Sequence, residues 1–104
     1  MDGIILTPLD KIYHPKGEIL KIIKKSDTTF NEFGEAYFST ISQGDIKGWK
    51  KHTKMILNLV VVIGEIEFVI YNENKKEFFN VKISQDNYKR LTVKPGLWMA
   101  FRGV

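Results

Sequence analysis

Gly44 to Asn72 reads GDIKGWKKHTKMILNLVVVIGEIEFVIYN, and the fold class turns on this stretch. Leu57 to Ile63 is its most apolar run. It is too short to span a bilayer and rich in β-branched residues, so it reads as a buried strand. Gly64-Glu65 punctuates the run, and Glu65 to Tyr71 resumes as a second strand with Ile66, Phe68 and Ile70 on one face. Upstream, an extended Trp49 to Met55 places Lys50, His52 and Lys54 on one face and Lys51 on the other. Two amines and an imidazole side by side repel one another, so their natural counterpart is an anion.

Outward from this stretch the same pattern recurs. Downstream, Asn72 to Lys75 is a hairpin loop, and Lys76 to Ile83 returns with Phe79, Val81 and Ile83 alternating. Ser84 to Asn87 breaks the chain, Tyr88 to Val93 is a further strand, Lys94-Pro95-Gly96 a tight turn, and Leu97 to Phe101 the last strand. Upstream, Ile4 to Leu6 and Glu18 to Ile23 are short strand candidates. His14-Pro15-Lys16-Gly17 is a turn, Lys24 to Thr29 a solvated loop, and Ser42 to Asp45 another turn. Phe33 to Ile41 alternates, with Glu35, Tyr37, Ser39 and Ile41 on one face and Ala36, Phe38 and Thr40 on the other. Eight or nine short strands without heptads or repeats predict an all-β sandwich or barrel with little helix.

Composition bounds the chemistry. The 104 residues support one domain, 1–104, and 43% hydrophobic residues suffice for a modest core. The absence of cysteine excludes disulfides, thiol catalysis and Cys-based zinc sites. Two histidines, His14 and His52, cannot build a three-histidine metal centre, and no mixed His/carboxylate spacing is recognisable. The opening MDGIILTPLDKIYHP lacks the basic region and long apolar run of a signal peptide, so a cytoplasmic location without membrane contact is expected. A net charge of +4 favours polyanions or phosphorylated small molecules.

Three segments, in order, resemble the nucleotide-sugar epimerase and ketoisomerase branch of the cupins, which includes dTDP-4-dehydrorhamnose 3,5-epimerase and dTDP-4-keto-6-deoxyglucose 3,4-ketoisomerase. Phe33 to His52, FGEAYFSTISQGDIKGWKKH, is similar to a strand of polar pocket residues leading into an Arg-Gly-x-His motif. Leu57 to Tyr71 is similar to the family's apolar strand, Gly-Glu corner and return strand. Leu91 to Phe101, LTVKPGLWMAF, is similar to its Pro-Gly turn. The departures are equally specific. Lys50 stands where the family has the first of two histidines, Lys47 stands where it has arginine, and the histidine of the Pro-Gly turn is replaced near Leu97-Trp98-Met99. Relatives continue beyond Phe101-Arg102-Gly103-Val104 with further strands.

The resemblance implies a cupin-like jelly-roll β-barrel, either shortened by those strands or represented here without them. It also implies an epimerase or isomerase acting on a nucleotide-linked 4-keto-6-deoxy sugar in surface-polysaccharide biosynthesis. Such chemistry needs a base, an acid and a group that holds the enolate, with no cofactor and no metal. His52 is the candidate base, Lys50 the enolate-stabilising cation and Tyr37 the acid. Lys16, on its turn, is the candidate diphosphate contact, with Glu35, Ser39, Lys47, Lys54 and Asn58 as further substrate-binding candidates. A homodimer is implied, with Ile4 to Leu6 a candidate for strand exchange. Two other readings stay open: a cupin that binds a sugar nucleotide without catalysis, and a basic β-barrel that binds single-stranded nucleic acid. The scarcity of exposed aromatic positions on the apolar strands weighs against nucleic acid as a partner.

Overall fold

Strict alternation in the second half of the chain produces the strands that bury most. A computed structural model describes all residues 1–104 and contains nine strands and no helix. They are β1 (Ile4–Pro8), β2 (Lys11–Ile12), β3 (Ile19–Leu20), β4 (Ile46–Lys51), β5 (Leu57–Leu59), β6 (Ile66–Asn72), β7 (Glu77–Ile83), β8 (Lys89–Val93) and β9 (Trp98–Gly103). Every ladder is antiparallel. One sheet runs β1-β8-β5, a second runs β4-β9-β6-β7, and β2 pairs with β3 alone.

Register shows why the two larger sheets face one another. On β6, Ile66, Phe68 and Ile70 stand opposite Ile83, Val81 and Phe79 of β7, while Phe68 and Ile70 also oppose Phe101 and Met99 of β9. On β8, Leu91 and Val93 oppose Leu6 and Ile4 of β1 and Leu59 and Leu57 of β5. Opposed residues share a face, so each sheet presents one apolar face, and these pack together as a single core. Ile70, Ile83 and Leu91 are fully buried. Each contributes about 1.5–3 kcal/mol relative to an exposed side chain.

Three sequence expectations fail in informative ways. Phe33 to Ile41, read as a strand, joins no ladder. It bonds no other backbone group, and its one tie to the rest of the chain by hydrogen bond is the Thr40 carbonyl, which accepts the Lys47 ammonium. Leu57 to Ile63 is a strand only to Leu59. Beyond it Val61 still fills the core, while the Val62 carbonyl accepts the Gln85 side-chain amide at 2.7 Å as the chain turns toward β6. Glu18 to Ile23 shrinks to β3, because its only partner is the two-residue β2. No helix is long and apolar enough to cross a membrane.

Candidate active site

Strand β4 carries the candidate cations, and a bulge determines where they point. Lys47 opposes Phe101 and Lys50 opposes Met99, with a register shift between them. Three residues separated along a regular strand would face opposite ways. The extra residue at Gly48-Trp49 returns Lys50 to the same inner face as Lys47. Glycine is required there. Gly48 has φ of 144°, and a Cβ on it would lie 2.6 Å from the Ala100 Cβ.

The parity read from the sequence therefore holds at the end of β4. Lys50 opposes Met99 on the core-facing side, and Lys51 opposes Trp98 on the outer face. There the Lys51 ammonium bonds the Glu73 carboxylate and sits 5.8 Å from the Trp98 ring centre. Glu73 also accepts the Trp98 indole N–H at 3.2 Å. These two donors, the lysine first, hold the Glu73 carboxyl below its usual range. One residue past β4, the His52 carbonyl accepts the Gly96 N–H at 2.8 Å, which ties the half-buried histidine to the Pro-Gly turn.

The remaining candidates are dispersed. The Lys47 ammonium donates to the Thr40 carbonyl at 2.7 Å and so tethers the segment carrying Glu35, Tyr37 and Ser39. All three are exposed, Tyr37 at 77%. Lys54 is exposed just after β4. Lys16 lies on the expected turn, where the His14 carbonyl accepts the Gly17 N–H at 3.0 Å and the His14 Nδ1 accepts the Lys16 N–H at 3.0 Å. Asn58 opposes Thr92 and accepts its hydroxyl at 2.7 Å, on the face of the three-stranded sheet turned away from Leu57 and Leu59. The structure thus gathers Lys47 and Lys50 on one face beside His52, and leaves Lys16, Tyr37 and Asn58 without a direct bond to them.

Sequence reading missed Arg90. It lies on the outer face of β8 with Thr92 and is only 1% exposed. Its guanidinium donates to the Ile22 carbonyl at 2.6 Å and to Thr29, and pairs with Asp27 at 3.4 Å. The neighbouring Tyr88 hydroxyl donates to the Lys21 carbonyl at 2.8 Å, and burial raises its pKa. Together they strap residues 21–30 across the sheet. The available signal was parity: Arg90 and Thr92 share the face opposite Leu91 and Val93, and a buried arginine there requires a covering layer.

Two hollows accompany these features. One of about 200 Å³ lies under the strap, between Thr29, Phe30, Ile5 and Thr92. The other, about 350 Å³, lies around Trp49, Val69 and Ala100 beside the Arg102–Glu67 ion pair. Neither is lined by Lys50, His52 or Tyr37. No cluster of three or more His, Asp or Glu side chains is arranged to hold a metal ion.

No protein-family model matches the chain, and no curated protein matches it. Solved structures do. A dTDP sugar isomerase from Desulfovibrio desulfuricans G20 superposes with a TM-score of 0.95 at 28% identity, over 99% of this chain and 69% of that one. QdtA, a sugar 3,4-ketoisomerase from Thermoanaerobacterium thermosaccharolyticum in complex with TDP, gives 0.81 at 17% identity, over 99% and 73%. A variant of that ketoisomerase in complex with TDP-4-keto-6-deoxyglucose gives 0.77 at 16%, over 99% and 72%. The chain therefore has the cupin-like all-β fold of these enzymes, and its structural neighbours are dTDP-sugar isomerases, the family that its three sequence segments resemble.

Proposed function

We propose that the chain is a cytoplasmic epimerase or isomerase acting on a dTDP-linked 4-keto-6-deoxy sugar by metal-free proton transfer next to the ketone. The observation that carries this reading is the superposition with a dTDP sugar isomerase at a TM-score of 0.95 along 99% of the chain. The register of β4 supports it by turning Lys47 and Lys50 to the inner face and Lys51 outward. In this mechanism His52 removes the acidified C–H proton. The Lys50 ammonium stabilises the enolate oxygen, a charge that develops only as the proton leaves. Tyr37 returns a proton, and Lys16 contacts the diphosphate. The product belongs to surface-polysaccharide sugar assembly.

Solvent deuterium incorporation beside the ketone of a dTDP-4-keto sugar tests the assignment. His52→Ala should lower exchange by roughly 10²–10⁴ with little change in binding. Lys51→Ala, which disturbs only the outer face, should leave exchange unchanged. Lys16→Ala should weaken binding more than it slows exchange, since it contacts a non-reacting group. Equal exchange in wild type and His52→Ala overturns the catalytic role. A second reading, a cupin that binds the sugar nucleotide without turning it over, is favoured by the exposed Tyr37 and by the lysine at the first histidine position. Intact binding with no exchange in the wild type selects it.

A further inference from the structure

The positive charge of the chain is not spread over its surface. Residues 11–25 carry five lysines, Lys11, Lys16, Lys21, Lys24 and Lys25, against one acid, Glu18. The other 89 residues carry eleven cationic and eleven acidic side chains, so the whole net charge of +4 sits in this stretch. None of the five ammonium groups has a carboxylate partner; the ion pairs of the molecule lie elsewhere. The fold sets the stretch apart as well. β2 and β3 pair only with each other, and this ribbon joins neither of the larger sheets. Its base is fastened where the Asp10 carbonyl accepts the Lys21 N–H at 3.0 Å, and where Tyr88 and Arg90 hold the Lys21 and Ile22 carbonyls.

Apolar side chains stand among these cations. Ile12 and Ile19 are register partners and share one face of the ribbon, where they are 44% and 53% exposed. Tyr13, at the turn, and Ile22 and Ile23, just beyond β3, are exposed too. We propose that this ribbon docks the protein on an anionic lipid surface, with the isoleucines and Tyr13 entering the interface and the lysines lying among the headgroups. Stable surface binding takes two signals, and apolar groups beside a polybasic cluster supply both. The composition favours lipid over nucleic acid. All five cations are lysines, point charges suited to a fluid layer of headgroups, and none is an arginine, whose planar fork suits fixed phosphates and base edges. Their apolar neighbours are mostly branched aliphatics, not the aromatic rings on which unpaired bases stack. The contact is peripheral, so it needs neither a signal-like opening nor a spanning segment. It stands apart from the catalytic reading: Lys16 is the one residue the two share, and the test leaves it in place.

Co-sedimentation of the full chain with lipid vesicles reads the contact. The wild type should pellet with vesicles of phosphatidylglycerol and phosphatidylcholine, stay in solution with phosphatidylcholine alone, and leave the mixed vesicles as salt is added. Each lysine near an anionic surface raises the partition about fivefold, so Lys24→Gln with Lys25→Gln should lower it about 25-fold. Those two lie beyond β3, and their replacement leaves the ribbon's register untouched. Lys76→Gln with Lys82→Gln makes the same charge change at exposed positions beside and on β7, and should lower the partition less than about threefold. Ile12→Ser with Ile19→Ser, which keeps every charge, should lower it about tenfold. A wild type that does not pellet with the mixed vesicles, equal losses in the two lysine pairs, or an isoleucine pair that binds as tightly as wild type overturns the proposal. So does release of the protein by an equal concentration of a short single-stranded oligonucleotide, which would assign the ribbon to nucleic acid.

Discussion

Residues 61–103 and residues 1–60 are built on different terms. All thirteen buried residues lie between Val61 and Gly103, and none precedes Val61. The later part pairs largely within itself. β6 and β7 form a hairpin through the turn at residues 73–76, and β9, which follows β8 across the Lys94-Pro95-Gly96 turn into the other sheet, pairs with β6. The earlier part depends on partners far along the chain. β1 pairs with β8 and β4 with β9, while residues 31–41 bond no other backbone group. Alternation specifies which face of a strand is apolar. It does not specify whether anything will lie at its edge.

The largest expected effect tests that division of stability. Ile70 is fully buried between β7 and β9, so Ile70→Ala should cost about 2–5 kcal/mol in denaturant unfolding. Phe38→Ala removes a larger side chain from an exposed position and should stay within roughly 0.5 kcal/mol of wild type. Comparable losses at the two sites would show that the earlier part contributes to the same core.

That contrast also marks what was legible in the sequence. The strands β6 to β9 and their turns were readable because period-two alternation, turn residues and short connections all agree there. The β4 parity was readable at Lys50 and Lys51, but the bulge at Gly48-Trp49 was not. A bulge answers to the close approach of Ala100, a residue half the chain away. Arg90 was invisible for the same reason: its partners are Ile22, Asp27 and Thr29, more than sixty residues upstream. The gathering of Lys47 with Lys50 follows from that bulge and was not foreseen, and the distance of Asn58 from them follows from its pairing with Thr92 on an outer face.

An intermediate effect probes the joint between the two parts. Arg90→Ala removes the guanidinium that holds the Ile22 carbonyl, Asp27 and Thr29, and hydrogen bonds from a charged group contribute about 1.5–3 kcal/mol. We expect a loss of about 2–3 kcal/mol, with trypsin cutting at Lys21, Lys24 and Lys25 well before the core opens. The buried Nε of Arg90 has no partner, so Arg90→Met should recover part of the stability without restoring protection of the strap. Unchanged cleavage in both variants would mean that the strap is held by Tyr88 and its own turns instead.

The smallest effect is electrostatic and should appear mainly in the later part. The Arg102 guanidinium, and after it the Asn80 amide, hold the Glu67 carboxyl below its usual value of 4.5, as Lys51 and Trp98 do for Glu73. Both groups lie on the outer face of the four-stranded sheet. Each is more acidic folded than unfolded, so between those values the unfolded chain binds more protons. Their stabilisation is then complete above about pH 4.5 and is lost as pH falls through the folded pKa. Solvent screens both pairs, which keeps the effect modest. Thermal melts from pH 7 to pH 3 should show a level region followed by an acid decline, and Glu73→Gln should make that decline shallower. Hydrogen exchange should place the acid-induced loosening in β6 and β9, with no change in residues 31–41, which make no backbone–backbone hydrogen bond. An acid decline as steep in Glu73→Gln as in wild type would assign the loss to other carboxylates, Asp2 with its Lys75 partner first among them.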